Sequence, residues 1–213
     1  MIFASRQDAG RRLGKFLHQS GIAADVVLGL PRDGVVVAAE VARELNLPLD
    51  VLVVRKIGHP LQREFAIGAL AEPDFIFLDD RSLREFPSAG AVLEEIIAEE
   101  KNRLREYRRR FHLSPLASLE GKSALIIDDG LATGATAEAA AISVRQQKAQ
   151  RIIIAAPVAS VESVARLQRV ADEVRVLSTD PAFAAVGQFY REFSQTTDEE
   201  VISLLRSAGK SHS

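Results

Sequence analysis

Five short apolar-rich runs limit this chain more than any other feature: Asp25–Leu30, Leu49–Val54, Ser123–Ile127, Arg151–Ala155 and Glu173–Leu177. Runs that are apolar at successive positions, rather than at alternate ones, suit strands buried on both faces, the habit of parallel sheets covered by helices. Segments with helical apolar spacing at 34–46, 134–148 and 160–170 separate several of these runs, so the connections read as right-handed βαβ crossovers. The expected fold class is therefore α/β, a doubly wound, mostly parallel five-stranded sheet flanked by helices.

Other segments fall outside that alternation. Ala9, Leu13, Phe16 and Leu17 recur at helical spacing between Gln7 and Ser20, and Gly21 stands where a C-terminal cap belongs, giving a lead-in helix. Residues 56–78 hold a Gly/Pro-rich loop followed by two short apolar runs, the pattern of a hairpin projecting from the sheet. Residues 89–112 read as a long charged helix with Val92, Ile96, Leu104, Tyr107 and Phe111 on its apolar side. Its basic run RLREYRRRFH follows EEIIAEE on the same helix, acidic first and basic last. That order suits the helix dipole and reads as a solvated face rather than a nucleic-acid patch.

At 213 residues the chain is long enough to bury one α/β core without staples. One domain is expected over 1–213, with a projecting hairpin at 56–78, a helical insertion at 80–120 and a further C-terminal segment at 179–207. A net charge of -2 supplies no global field for nucleic acid. The absence of cysteine excludes thiolate chemistry and Cys-ligated zinc, and fits a reducing compartment. No signal-peptide pattern and no apolar run of spanning length is present, so a cytoplasmic protein without a membrane segment is expected.

The chemistry concentrates in LIIDDGLATGAT, Leu125 to Thr136. An apolar strand ends in two acidic residues and passes through a small-residue loop into an alanine-rich helix. Asp128 and Asp129, at the carboxyl edge of a parallel sheet, are suited to accept hydrogen bonds from ribose hydroxyls and to hold Mg²⁺ through water. The loop Ala132, Thr133, Gly134, Ala135 and Thr136 offers backbone N–H groups and two hydroxyls at a helix N-terminus, a site for a monophosphate. Taken singly, DDG also reads as a turn and TGAT as a helix cap. The lysine of a Walker loop is missing, and so is the GxGxxG of dinucleotide folds.

An apolar strand, two acidic residues and a TG-containing loop with nearby threonines resemble the 5-phosphoribosyl 1-pyrophosphate signature of type I phosphoribosyltransferases. The resemblance is closest to a bacterial subgroup of predicted phosphoribosyltransferases with no agreed acceptor. It implies a pyrophosphate loop after the first core strand, where GLPRDG stands, so that Pro31, Arg32, Asp33 and Gly34 meet the leaving group. In this family that loop often adopts an unusual peptide conformation, sometimes cis. The resemblance also implies a mobile lid after the second strand, where VVRKIGHPLQREFAIGA stands. Arg55 and Lys56 become phosphate contacts there, and His59 and Arg63 lie within the same stretch. STDPAFAAVGQFYREF resembles the C-terminal segment that, with a small hood at 179–207, frames the acceptor base, with Phe183 placed to stack on a ring; Phe183, Phe189 and Tyr190 also read as simple core.

The function implied is Mg²⁺-dependent transfer of 5-phosphoribosyl from 5-phosphoribosyl 1-pyrophosphate to a nitrogen acceptor such as a nucleobase, with release of pyrophosphate. Asp128, Asp129, Arg32 and Lys56 would carry the catalysis. One departure is Ala132, where several purine-salvage relatives hold an acidic residue; the adenine-specific type also has a small residue there. The alternative from another class is a nucleotide-sensing regulator on the same fold. A phosphohydrolase or phosphotransferase lacks an obvious nucleophile. Small molecules are the expected partners, and family habit adds a homodimer with the long helix as interface.

Overall fold

The computed structural model describes residues 1–60, 66–73, 75–78, 90–112 and 118–210. In chain order its elements are α1 (Arg6–Gln19), β1 (Val26–Gly29), α2 (Asp33–Leu45), β2 (Leu49–Val51), β3 (Val54–Gly58), β4 (Ala66–Ala71), β5 (Phe75–Leu78), α3 (Gly90–Phe111), β6 (Ser123–Ile127), α4 (Ala135–Gln146), β7 (Arg151–Ser160), α5 (Val161–Leu167), β8 (Glu173–Asp180), a 3₁₀ turn (Val186–Phe189) and α6 (Asp198–Lys210). Five strands form a parallel sheet in the order β2-β1-β6-β7-β8, and β3, β4 and β5 form a separate antiparallel sheet.

The strand order locates the site. From β1 the chain steps outward to β2, then returns at β6 on the other side of β1 and continues through β7 to β8. The switch point lies between β1 and β6, which are paired with Gly29 opposite Ile127. Crevices outside the carboxyl ends of strands at such a point are where open α/β sheets bind ligands.

Alternation along the strands divides the core. Val27, Leu125, Ile127, Ile153 and Ala155 pack under Leu13 and Leu17 of α1 and Val37, Ala38 and Val41 of α2. Val26, Leu28, Ile126, Ile152 and Ile154 face the alanine-rich side of α4, with Leu167 of α5 beyond it. Because the alanines are small, α4 lies close against the sheet and brings its N-terminus to the strand ends.

Several boundaries depart from the sequence expectation. The second core strand stops at Val51: Leu52 N–H closes the last ladder bond, to Gly29 O (3.1 Å), and Val53 N–H leaves β1 for the buried Glu72 carboxylate (2.6 Å). β7 continues to Ser160 through Pro157, beyond its pairing with β6, which ends at Ala155; the pairing with β8 skips Pro157 and resumes at Val158. The apolar runs after the hairpin loop become β4 and β5, so with β3 the annex has three strands. Val92 of α3 is exposed, whereas Ile96, Leu104 and Phe111 join Ile57, Ile67 and Leu70 in a cluster between α3 and the small sheet.

The C-terminal helix α6 begins inside the expected 179–207 segment and runs past it to Lys210, a helix that the sequence expectation lacks. Its signal is local: Thr197 Oγ1 accepts from Glu200 N–H (3.2 Å) while Glu200 Oε2 accepts from Thr197 N–H (2.7 Å), a reciprocal cap. Val201 and Leu205 pack it into the cluster with Val35 and Val51. Among the described residues no helix is long and apolar enough to cross a membrane.

Candidate active site

Two loops leave the sheet side by side at the switch point. After β1, residues 30–32 lead straight into α2, and the Pro31–Arg32 peptide is cis. Gly34, in the first turn of α2, lies against the other loop: a Cβ there would stand 2.9 Å from Asp128 Oδ1 and 3.0 Å from Asp128 Cα. Only a residue without a side chain lets the two loops touch.

After β6 the chain passes through Asp128 and Asp129 to Leu131, which is pinned to β7. Leu131 N–H donates to Val158 O and Leu131 O accepts from Ser160 N–H, both at 2.9 Å. The Ser163 hydroxyl also donates to Leu131 O (2.8 Å), and the Ser160 hydroxyl donates to Ala132 O (2.7 Å). Thus fastened from below, the loop exposes Ala132 and Thr133 and leaves Ala135 and Thr136 half-buried. Gly134 takes a φ of 73° to turn into α4, and a Cβ there would meet Ser163 at 3.2 Å. The first-turn N–H groups of α4 have no intrahelical acceptor and point outward with the positive end of the helix dipole, a ready anion seat.

The paired aspartates are held differently. Asp128 Oδ1 accepts from Asp129 N–H at 2.9 Å, and its carboxylate feels the charge of Lys56 on β3. Burial first, then the neighbouring charges of Asp129 and Asp33, push the Asp128 carboxyl well above the usual range, with Lys56 acting in the opposite direction. Asp129 is buried and its Oδ2 accepts from Arg6 Nε at 2.8 Å. Burial raises its carboxyl, and Arg6 opposes that rise. The Tyr190 hydroxyl donates to Asp129 O (2.6 Å), fixing the backbone as well.

Of the residues expected at the site, Pro31, Arg32, Asp33, Gly34, Asp128, Asp129, Lys56 and the 132–136 loop gather at this edge. Their side chains do not all face one space. Arg32 approaches Asp198 at the start of α6 (3.6 Å), and Arg110 of α3 pairs with the same carboxylate. Asp33 Oδ1 accepts from Thr196 N–H (3.1 Å) and from its hydroxyl (2.6 Å).

Arg55 faces away from this edge. Strand alternation turns it away from its neighbour Lys56, onto Glu100 of α3 (2.9 Å) with its guanidinium 5.4 Å from the Tyr107 ring centroid. His59 is buried, and Arg63 lies outside the described residues. The Phe183 ring stands 5.0 Å from Phe189, packed against the cluster of Phe3, Phe189 and Tyr190, which is the core alternative for this segment.

Sequence reading missed Arg6, Thr196 and Asp198. Each acts across more than 80 positions of chain, and no local pattern marks such a contact.

Among the described residues no group of three or more His, Cys, Asp or Glu is placed to hold a metal ion as a closed cage. Mg²⁺ does not require one, since it keeps several waters and binds through one or two carboxylates plus substrate phosphates. The hard oxygens of Asp128, half-buried beside the two anion-suited loops, fit that mode.

The family model described as "Phosphoribosyl transferase domain" matches residues 2–193. A Mycobacterium tuberculosis protein provisionally named a phosphoribosyl transferase is 45% identical over 208 residues, covering 96% of this chain and 46% of that protein. The chain thus spans about half the length of the curated relatives it matches. The crystal structure of TT1426 from Thermus thermophilus superposes with a TM-score of 0.82 at 44% identity, covering 97% of this chain and 99% of the other. The purine phosphoribosyltransferase of Pyrococcus horikoshii, at 16% identity and a TM-score of 0.50 over 92% of this chain and 97% of its own, shares the fold. With its parallel sheet, its switch-point loops and this match along nearly its whole length, the chain belongs to the phosphoribosyl transferase domain family, on the type I fold.

Proposed function

We propose that the protein transfers the 5-phosphoribosyl group of 5-phosphoribosyl 1-pyrophosphate to a nitrogen acceptor, releasing pyrophosphate. The observation that carries the reading is the contact of two anion-suited loops across one carboxylate. The N-termini of α2 and α4 both open at the switch point, and Asp128 stands between them against Gly34. A sugar bearing a phosphate at one end and a pyrophosphate at the other matches that arrangement.

In this reading the 132–136 loop binds the 5-phosphate, with the Thr133 and Thr136 hydroxyls adding hydrogen bonds to those of the amides. Asp128 accepts from a ribose hydroxyl. Arg32 and Lys56 meet the pyrophosphate; for Arg32 this means exchanging Asp198 for a stronger anion. Mg²⁺, when bound beside Asp128, would neutralise pyrophosphate oxygens. As the C1–O bond loosens its electron pair leaves with pyrophosphate, positive charge spreads over the ribose, and the acceptor nitrogen supplies a new pair from the opposite face. The proton lost by the acceptor passes to the pyrophosphate or to water, since Ala132 offers no base. The protein's part is positioning and charge compensation. A soluble, highly charged donor supports a cytoplasmic setting for this reaction.

The test is release of pyrophosphate from labelled donor with Mg²⁺ and a panel of nucleobases and small amines. Acceptor-dependent release with a ribosylated product is expected. Donor binding without release for any acceptor would turn the reading to a nucleotide sensor, and no donor binding would sink both.

A further inference from the structure

Arg6 stands 123 positions before Asp129, yet its side chain is only 6% exposed and each of its three guanidinium nitrogens has a partner. Nε donates to Asp129 (2.8 Å), Nη1 donates to Ser194 O (2.6 Å), and Nη2 lies 3.3 Å from Asp33 Oδ1. The Phe193 ring centroid is 4.1 Å from its central carbon, closing off another direction. Asp33 opens α2 directly after the β1 loop and Asp129 belongs to the loop after β6, so one side chain from a third element joins the two halves of the site.

We infer that Arg6 is a positioning residue that sets the registry between the two ligand loops, through Asp129 on one and Asp33 on the other. The inference rests on the reading of those loops as ribose-phosphate and pyrophosphate seats. Three carboxylates, Asp33, Asp128 and Asp129, converge at the switch point, and two of them repel across the loop junction unless a cation lies between. The planar fork of arginine reaches both at fixed angles, which the single ammonium of lysine does not. With Asp33 also held by Thr196 and Asp129 by Arg6, neither carboxylate is directed to the donor. Asp128 is left as the ligand-facing acid.

The consequence concerns spanning ligands. A donor held by both loops at once gains from their fixed separation, whereas a ligand seated in one loop does not. Calorimetric titration of wild type and Arg6→Lys with 5-phosphoribosyl 1-pyrophosphate plus Mg²⁺, and separately with ribose 5-phosphate, reads the difference. The variant should bind the spanning donor at least about 10-fold more weakly and ribose 5-phosphate within about 2-fold of wild type. Parallel loss of both ligands, or retention of the donor, overturns the inference and leaves the site assignment standing. A wild type that binds neither overturns the site assignment. Should Arg6→Lys fail to fold, Asp33→Asn cuts the same tie from the other loop. It should give the same selective loss, and an unselective loss or none refutes the inference.

Discussion

The switch-point loops and the annex of small sheet and long helix both bury carboxylates, but they handle them in opposite ways. In the annex, Glu72 is matched: it accepts from Val53 N–H (2.6 Å) and from His112 Nε2 (2.7 Å), and lies 3.2 Å from Arg108 Nε. Glu100 likewise holds Arg55 and Arg103. At the switch point Asp33, Asp128 and Asp129 share Arg6 and Lys56, and burial with like charge drives the Asp128 carboxyl up. The annex uses its charges to hold elements together. The site keeps a charge the fold disfavours, which is the pattern of a group selected for a ligand rather than for stability.

The largest test of that contrast is Glu72→Gln. The variant keeps the shape but strands Arg108 and His112 beside a buried neutral amide, and should destabilise the fold by about 3 kcal/mol. The loss should appear in urea unfolding, with hydrogen exchange quickening first in β3 and β4. The Glu72 backbone carbonyl, which accepts from the Ser143 hydroxyl, is untouched. A loss below about 1 kcal/mol would show that the annex is held by its apolar cluster and not by the carboxylate.

Asp128→Asn should do the reverse. Removing the disfavoured charge raises stability by about 1 kcal/mol. It also removes the ligand-facing acid, so transfer should fall on the order of 100-fold in kcat/KM. A variant less stable than wild type, or one with unchanged turnover, would place Asp128 with the structural carboxylates and erase the contrast.

The two regions also differed in how far the sequence revealed them. Strand, acidic pair, small-residue loop and helix are consecutive from Leu125 to Thr136, so local spacing sufficed to place Asp128 and the 132–136 loop at a sheet edge. The five core strands were legible because burial on both faces writes unbroken apolar runs. The partners that orient the carboxylates were not. Arg6, Thr196 and Glu72 act through contacts whose two ends lie 123, 163 and 19 positions apart, and a polar residue in a loop or first turn looks alike whether or not it meets a distant partner. Arg55 and Lys56 show the same limit on a smaller scale. Both were candidate phosphate contacts, and only the strand pleat, visible once β3 pairs with β4, sends one to the annex and the other to the site.

That pair gives the next test. Lys56→Ala should weaken the donor about 10-fold, the worth of one charge-assisted contact. Arg55→Ala should leave donor affinity within about 2-fold and lower stability by about 1 kcal/mol, having removed an ion pair and a cation–π contact. Equal effects of the two variants on donor binding would mean that β3 presents both faces to the ligand.

The smallest effect is a pH dependence confined to the annex. Burial alone would lower the His112 imidazole, but Asp50 and Glu72 outweigh it and push the group up from 6.5 to about 9. A base raised on folding stabilises fully below its unfolded value, and that contribution fades as pH rises through the folded value. The fold should therefore lose about 1 kcal/mol between pH 6.5 and pH 9.5, an amount already reduced for screening by solvent around the ring. His112→Gln should flatten the slope while leaving donor affinity at pH 7 unchanged, because the imidazole meets Glu72 and Asp50 and none of the switch-point loops. If urea midpoints of wild type and variant fall in parallel over that interval, the charge that fastens the annex is not on His112. Arg108, which holds the same carboxylate and does not titrate there, would then be the residue that secures it.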